Sequence, residues 1–512
     1  MVSSSHPLAS LSGINILQSG GNVVDAAVAT SATLCVVQNN LCGLGGDLFA
    51  LLRLNGEIHG LNGSGRAGEE ATIDFYSEKG LSEIPKRGPL AAITVPGIVD
   101  AWGELVERFG TFELGDLLKQ ATRYALEGFP LTPKYVRSIA SSKPLLETFT
   151  EWTNLFLVNG EVPPAGFVFK QESLGRTLQM ISEKGVDTFY RGELSKKIVR
   201  GIREQGGILT EEDFARHKSS WDQPLKTNYR GVEIYETAPN SQGATVLLWL
   251  NMLEEYELSK FEFRSVDLLD IFLKTCGLAY QERALAIGDP VFHELPAEFT
   301  AKSYARDVLG KRMIRQYKGR PQQDGDTTYF AVADSHGNCA SVIQSNYMGF
   351  GSGLTPRGTG FVLQNRGCYF TLDRSHHNAL QPNKRTFHTL CASVGTKDEN
   401  TLFALGSMGG DVQPQVHVQL ITKLIDFKMD VQLAINHPRW VALGTIYEEQ
   451  QRLSVEDELK SLIPQLESKG YKVSALESLS SITGHAQAIV YNEYGAMMGG
   501  ADPRGDGMAI GF

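Results

Sequence analysis

Apolar runs broken by glycines organise the first fifty residues. Ser19, Gly20 and Gly21 predict the end of a first helix, and Asn22 is a favourable N-cap for a second one. The stretch that follows is rich in Ala and Val on every side, which predicts a helix that is buried all round. Residues 48–52, after a glycine-rich turn, predict a buried strand.

Residues 70–320 carry mainly helical periodicity. A capping sequence at 210–213 precedes one of the amphipathic stretches. We expect a single strand-like interruption of this region, at residues 231–237.

The last third of the chain changes to a β-type pattern. Residues 328–334 and 339–345 are short strand-like runs, and the sequence at 335–338 between them is typical of a hairpin turn. Apolar or small residues occupy both faces of these strands, so we expect the sheet to be covered on both sides. Helices before and after such a sheet predict an α+β fold with layers of helix, sheet, sheet and helix.

Composition narrows the class of protein. The chain has 512 residues, 42% of them hydrophobic, and no Pro-rich, Gly/Ser-rich or like-charge run resembles a linker, so we expect one compact unit. A net charge of −10 argues against a nucleic-acid partner. No apolar run is long enough to span a membrane. No secretory signal is evident, so we expect a soluble, cytoplasmic protein, or a periplasmic or extracellular one if a signal was removed.

Three sequence features could suggest a ligand-binding site, but each is better explained by an ordinary structural role. The turn at 43–47 is rich in glycine, but phosphate-binding loops precede a helix, and here a strand follows. His376 and His377 are adjacent and lack the i, i+4 spacing of a helical zinc pair. The six cysteines contain no CxxC pair, which indicates neither a zinc site nor a disulfide framework.

The sequence Asp326-Thr327-Thr328 would mean little alone, because threonine is a favoured strand residue. Its context, DTTYFAVADSHGN at 326–338, closely resembles the segment at which γ-glutamyltransferase precursors are cut, with the first threonine as nucleophile. The resemblance continues along nearly the whole chain, in the motifs GGNVVDAAVA (20–29), GLGGDLFALL (43–52), NGSGRAG (62–68), ITVPGIVDAW (93–102), TEEDF (210–214), NYRG (228–231), AYQERALAIGDP (279–290), GSMGGD (406–411), NHPRW (436–440) and ADPRGDG (501–507).

The resemblance implies an N-terminal-nucleophile hydrolase with an αββα sandwich and with no metal or organic cofactor. It also implies self-cleavage between Asp326 and Thr327. The products would be a mostly helical large chain, 1–326, which contributes strands to the sandwich, and a small chain, 327–512, which begins with the nucleophile.

Cleavage matters because a threonine hydroxyl is a poor nucleophile until a base takes its proton. In this family the base is the α-amino group of the threonine itself, whose pKa is about 8. That nitrogen is an amide until the chain is cut. The resemblance further assigns the oxyanion donors to Gly409 and Gly410, the grip on the substrate carboxylate to Arg66, and support of Thr327 to Ser345.

The expected substrate pocket departs from that of the glutathione-cleaving members. Tyr369 stands where those enzymes hold the substrate α-amino group with an acid, and Arg366 stands where they have a neutral amide. His388 and Thr389 replace a pair of serines. We take these four residues, together with Asn346, as candidate substrate-binding residues.

Two points stay open. The family asparagine that touches the nucleophile aligns with Tyr347, although its neighbour Asn346 would serve if the register shifts. The substrate ammonium either has no partner or is bound by the tyrosine at 369 or by Asn365, Asp373 or Asp411.

We therefore expect an autoprocessed amidohydrolase that cleaves γ-glutamyl amides, such as glutathione, through an acyl-enzyme on Thr327. A glutaryl or cephalosporin-type acylase is the alternative, since an added cation and a missing carboxylate suit an acyl group that is anionic but lacks the ammonium. A second alternative is a non-catalytic relic with a binding role.

The expected partners are a small-molecule amide and the two chains of one precursor, with no nucleic acid and no membrane; a further oligomer stays open. The connection from Thr371 to Gln381 is shorter than the family lid. We expect an open site in which hydrolysis is favoured over transpeptidation.

Overall fold

The computed structural model describes residues 1–310, 326–442 and 452–512. The strands are β1 (Val2–Ser4), β2 (Asp47–Leu54), β3 (Glu57–Gly63), β4 (Phe129–Pro130), β5 (Val168–Phe169), β6 (Ser220–Asp222), β7 (Leu225–Tyr229), β8 (Val232–Glu236), β9 (Asp326–Ala333), β10 (Cys339–Tyr347), β11 (Ser393–Lys397), β12 (Asn400–Ser407), β13 (Trp440–Ala442), β14 (Arg452–Glu456), β15 (Lys472–Leu476), β16 (Ala486–Tyr491), β17 (Met497–Ala501) and β18 (Met508–Ile510).

Helices fill most of the chain before residue 310 and recur after β12. They are α1 (Pro7–Gln18), α2 (Val23–Val37), α3 (Ile73–Glu78), α4 (Ile98–Phe109), α5 (Leu114–Glu127), α6 (Pro133–Leu146), α7 (Thr150–Phe156), α8 (Glu172–Lys184), α9 (Asp187–Tyr190), α10 (Glu193–Glu204), α11 (Glu211–Ala215), α12 (Gly243–Leu253), α13 (Val266–Ala286), α14 (Lys302–Gly310), α15 (Gln413–Ile425), α16 (Val431–Asn436) and α17 (Ile463–Ser468). Short 3₁₀ turns occupy Leu258–Lys260, Arg366–Tyr369, Gly410–Val412, Asp457–Leu462 and Ser481–Thr483.

Two antiparallel sheets lie face to face. The first has the order β18-β1-β9-β10-β2-β3-β6 and the second the order β17-β16-β12-β11-β8-β7. Apolar side chains from both sheets, such as Phe49, Tyr329 and Ile489, form the core between them. Helices α2 and α4 cover the outer face of the first sheet, with α5 packed against α2; α12 and α15 cover that of the second, with α13 packed against α12. The predicted αββα order is confirmed.

The buried second helix follows the prediction from its composition. All fifteen residues of α2 are buried. Its N-terminus is closed by a capping box, in which the Asn22 side chain accepts the N–H groups of Val24 and Asp25, while the Asp25 carboxylate accepts the Asn22 N–H. These bonds satisfy backbone donors that the helix itself leaves unpaired.

The predicted hairpin is the centre of the first sheet. Strands β9 and β10 pair in an antiparallel register in which Phe330 lies opposite Val342. Their turn is fixed by Asp334, whose carboxylate accepts the N–H groups of His336 and Asn338. Both strands are buried almost throughout, as expected for a sheet that is covered on both faces.

The prediction of a single strand-like interruption in residues 70–320 is wrong, because this region contains more than one strand. β8 lies within the predicted 231–237, but β6 and β7 precede it, and β4 and β5 form a two-residue pair elsewhere. β7 is only five residues long and its alternation of buried and exposed side chains is too short to stand out. Residues 311–320 of the predicted helical region lie outside the described residues. No helix in the described parts is long and apolar enough to cross a membrane.

Candidate active site

Thr327 lies at the start of β9 and is buried beside the peptide group that precedes it. Its hydroxyl donates to the Ser345 Oγ at 3.1 Å, and the Ser345 hydroxyl donates to the carbonyl oxygen of Asp326 at 2.7 Å. The N–H of Tyr347 also donates to the Ser345 Oγ, at 2.7 Å. Ser345 therefore uses its one donor on the Asp326 carbonyl and both acceptor positions on the other two groups.

An irregularity in the ladder brings Ser345 to this position. The register between β9 and β10 shifts between Gln344 and Tyr347, so that Tyr347 pairs with Asp326. Tyr347 has a positive φ of 76°, which is unusual for a side-chain-bearing residue. On its other edge, Ser345 lies opposite Asp47, the first residue of β2.

Gly409 and Gly410 follow the end of β12, and both have positive φ values, 131° and 55°. Gly406, near the end of that strand, packs directly against the ring of Tyr329, where a Cβ would lie 2.4 Å from the ring. This contact places the glycine turn at the same end of the sandwich as the start of β9. The Gln242 side-chain amide donates to the Gly410 carbonyl at 3.0 Å and fixes the turn.

Arg366 is a fully buried cation in the candidate site. Its Nη1 donates to the Thr389 Oγ at 2.8 Å, and its guanidinium lies 4.2 Å from the centroid of the Tyr347 ring. Its Nε and Nη2 have no hydrogen-bond partner among the residues that the structure describes. Burial lowers the pKa of Arg366, and the nearby Tyr369 opposes that shift. Donors left unpaired in such a place are costly, and they suit an anionic ligand.

Tyr369 and Asp411 are bonded to each other. The Tyr369 hydroxyl donates to Asp411 Oδ2, and Arg283 forms an ion pair with Asp411 Oδ1 at 2.8 Å. Burial raises the pKa of Tyr369 well above its usual value. Both carboxylate oxygens of Asp411 thus already have protein partners.

His388 and Asp47 form a second buried pair. The His388 Nδ1 accepts the N–H of Leu390 at 3.2 Å, so the ring proton is on Nε2, which donates to Asp47 Oδ2 at 3.0 Å. Burial lowers the pKa of His388 well below its usual value, so the ring is neutral. Burial also raises the pKa of Asp47 to about 7, against the opposing effect of Arg366.

Arg66 directly follows Gly65, whose N–H donates to Asp47 Oδ1 at 3.1 Å. Arg66 also lines a small cavity of about 30 Å³ whose other walls include Asp213, His217 and Asn383. Its backbone carbonyl accepts the N–H of Val95 at 3.1 Å.

Asn346 is positioned by the turn that precedes β2. Its side chain lies against the glycine turn at Gly43 and Gly46, and its Nδ2 donates to the Asn39 carbonyl at 3.5 Å. Tyr347, one residue on, contacts Arg366 instead. Of the two alternatives left open by the alignment, Tyr347 is the one beside the substrate-binding candidates.

The other residues considered for the substrate ammonium have structural partners. The Asn365 amide donates to the Lys86 carbonyl at 2.8 Å and accepts the N–H of Met348 at 3.2 Å. Asp373 is exposed and caps its own turn through Ser375. Asn365 carries no charge, and Asp373 lies in an exposed turn, so neither provides a buried anion for the substrate ammonium.

The sequence interpretation missed the role of Asp47. We considered its glycine-rich turn only as a phosphate loop, and the pairing of this carboxylate with His388 and Gln364 connects segments more than 300 residues apart. The available signal was an acid at the head of an otherwise apolar strand, a position where a buried charge requires partners.

One cluster within the described residues has the ligand atoms of a metal site. Glu236, Cys391 and His417 are all buried, and their potential ligand atoms lie within 4.8 Å of one another. The His417 Nδ1 bonds Glu236 at 3.0 Å, whereas its Nε2 faces the Cys391 Sγ at 4.0 Å. The imidazole thus lies between the other two groups, an arrangement suited to a hydrogen-bonded network. Burial also raises the pKa of Cys391, which keeps the thiol protonated.

Comparisons with known proteins agree with the αββα fold. A sequence profile described as gamma-glutamyltranspeptidase matches residues 9–512. The chain is 40% identical to the glutathione hydrolase-like YwrD proenzyme of Bacillus subtilis, covering all of this chain and 98% of the relative. It is 33% identical to the oxamate amidohydrolase proenzyme of Klebsiella pneumoniae, covering 99% and 97%. The solved cephalosporin acylase of Bacillus halodurans superposes with a TM-score of 0.90 at 35% identity, covering 99% and 94%.

The αββα sandwich and its likeness to the solved acylase place the chain in the class of N-terminal-nucleophile hydrolases. Within that class, the chain belongs to the γ-glutamyltranspeptidase family, which its match over nearly the whole length shows. It is an amidohydrolase of this family of transpeptidases and acylases.

Proposed function

We propose that the chain is an autoprocessed amidohydrolase that cleaves γ-glutamyl amides through an acyl-enzyme on Thr327. The observation that carries this proposal is the hydrogen-bonded chain from the Thr327 hydroxyl through the Ser345 Oγ to the Asp326 carbonyl. A hydroxyl next to the peptide bond that it must cut, and a donor on the carbonyl oxygen of that bond, are what self-cleavage requires.

Processing begins when the Thr327 oxygen attacks the carbonyl carbon of Asp326. The Asp326–Thr327 carbon–nitrogen bond breaks, the hydroxyl proton passes to the departing nitrogen, and an ester joins the two residues. Ser345 stabilises the developing oxyanion through the bond that it already makes to this oxygen. Water then opens the ester, which leaves chains 1–326 and 327–512 and a free α-amino group on Thr327.

The freed amine serves as the base in substrate cleavage. Its pKa of about 8 leaves part of the population neutral at physiological pH, and this fraction accepts the hydroxyl proton as Thr327 attacks the substrate amide. Backbone N–H groups of Gly409 and Gly410 stabilise the oxyanion. The leaving amine takes the proton, and water releases the acyl group from the threonine oxygen.

Support for an anionic acyl group comes from Arg366. It is buried and two of its nitrogens are unpaired, so a substrate carboxylate would meet a desolvated cation with free donors. Water is the expected acceptor, because the short connection from Thr371 to Gln381 leaves little chain to exclude it.

A glutaryl group is the second candidate, and Asp411 favours it. An α-ammonium needs a nearby anion, but Tyr369 and Arg283 already occupy both Asp411 oxygens. A glutaryl group has the same length and carboxylate as γ-glutamyl without the ammonium, so it leaves those contacts undisturbed.

The test compares release of nitroaniline from γ-glutamyl and glutaryl p-nitroanilides by the processed protein. Turnover of the γ-glutamyl compound, lost in Thr327→Ala, is expected. Turnover of the glutaryl compound alone would select the second candidate. If processed protein hydrolyses neither compound, the proposed function is wrong and the non-catalytic alternative gains support.

A further inference from the structure

Asp47 is a buried carboxylate with three donors from three separate segments. Its Oδ1 accepts the Gln364 side-chain amide at 2.9 Å and the backbone N–H of Gly65 at 3.1 Å. Its Oδ2 accepts the His388 Nε2–H at 3.0 Å. Charge-assisted hydrogen bonds of this kind, shielded from water, are among the stronger polar contacts in a protein.

Each donor lies within two residues of a candidate substrate-binding residue from the sequence analysis. Gly65 precedes Arg66, and Gln364 is two residues before Arg366. His388 precedes Thr389, whose hydroxyl oxygen accepts a hydrogen bond from the Arg366 guanidinium. A single carboxylate therefore joins the segments that carry the substrate-binding candidates.

The same residue is fixed relative to the candidate nucleophile. As the first residue of β2, Asp47 lies directly opposite Ser345 in the ladder, and Ser345 bonds the Thr327 hydroxyl. The position of Asp47 is therefore set by the central sheet, whereas its three donors lie in loops. Loops gain precision when such a rigid element holds them.

We propose that Asp47 is a positioning residue that sets the distance between the anion-binding group at Arg366 and the reacting oxygen of Thr327. The inference rests on the proposed function, because this distance matters only if Arg366 binds the substrate carboxylate. Asp47 itself does not touch the substrate. Its action is to hold the loops that do, so it affects binding of the acyl carboxylate more than the chemical step.

The test is Asp47→Asn, assayed with two anilides of equal length, glutaryl p-nitroanilide and its uncharged pentanoyl analogue. Asparagine keeps an acceptor for Gly65 and Gln364 but turns an N–H group towards the His388 Nε2–H, where two donors repel. We expect normal processing, a KM for the glutaryl compound raised about tenfold or more, and a kcat within about threefold. The KM for the pentanoyl compound should stay unchanged.

Asp25→Asn is the matched control. Asp25 is equally buried and accepts N–H groups of Asn22 and Thr111, but its contacts lie around the start of α2. This variant should lower the melting temperature and leave both KM values unchanged. An equal change of both KM values in Asp47→Asn, or no change in either, would overturn the proposal.

Gln364→Met provides a second variant in case Asp47→Asn does not fold. It removes one donor to Asp47 with little change in side-chain volume, and it should raise the glutaryl KM selectively; an unchanged value overturns the inference. Wild-type protein that is unprocessed or inactive on both γ-glutamyl and glutaryl anilides would instead show that the proposed function fails.

Discussion

Ser345 contacts both groups that would react in self-cleavage, the Thr327 hydroxyl and the Asp326 carbonyl. Its Oγ accepts from the Thr327 hydroxyl, and its own hydroxyl donates to the Asp326 carbonyl. Thr327 alone is one buried threonine among many. The presence of this shared hydroxyl is what distinguishes it chemically.

Ser345→Ala should slow processing about 100- to 1,000-fold, because loss of one oxyanion donor typically costs about 2.7–4 kcal/mol in hydrolases. The rate is read from intact mass against time after purification. Ser341→Ala is the control, since Ser341 is buried in the same strand and bonds Tyr329 and the Ser393 carbonyl, away from the cleavage bond. Processing of Ser345→Ala at the wild-type rate would remove Ser345 from the mechanism.

The helices and strands that the sequence predicted correctly are those that their own residues specify. The buried α2 and the hairpin of β9 and β10 were predicted because their composition and turn residues specify them. β6 and β7 were missed because short strands with partly polar faces carry little signal. The partners of Asp47 could not be predicted, because the fold brings them together from distant parts of the chain.

The turn after β12 depends on glycine. Gly409→Ala would adopt a φ of 131° that side chains rarely allow, and its Cβ would lie 2.6 Å from Val412 Cγ2. The turn should shift, and kcat should fall about 100-fold with a smaller change in KM, since oxyanion donors act in the transition state. Steady-state kinetics on processed protein measures this.

Gly495→Ala separates strain from catalysis. Gly495 also has a positive φ, 79°, but apart from its chain neighbours no heavy atom of the described residues lies within 4 Å of the position that a Cβ would take. This variant should lose stability of about 1 kcal/mol and keep its kcat. If Gly409→Ala kept a kcat within twofold of wild type, the glycine pair would have no part in stabilising the oxyanion.

For the whole molecule, burial of neutral histidines makes stability depend on pH. His217 stacks on Tyr190, and within the described parts of the chain its ring nitrogens have no hydrogen-bond partner. Burial lowers its pKa to about 3, with smaller contributions from Arg385 and Arg66. Between about pH 6.5 and 3 the unfolded chain binds a proton that the folded chain does not, so this contribution is complete above pH 6.5 and declines as pH falls.

His217→Phe should therefore weaken the fall in melting temperature between pH 7 and pH 5, because phenylalanine keeps the stacked ring but takes up no proton. Thermal unfolding across this range measures it. His336→Phe, in the exposed turn of the hairpin, should leave the pH dependence unchanged. A pH dependence in His217→Phe as steep as that of wild type would contradict the assignment.

The most direct test of the account is intact mass and N-terminal sequencing of purified wild-type protein and of Thr327→Ala. We predict that the wild type yields two chains with the small one beginning at Thr327, and that Thr327→Ala stays whole. A wild-type chain that remains whole after long incubation, or a Thr327→Ala chain cut at the same bond, would contradict Thr327 as the self-processing nucleophile.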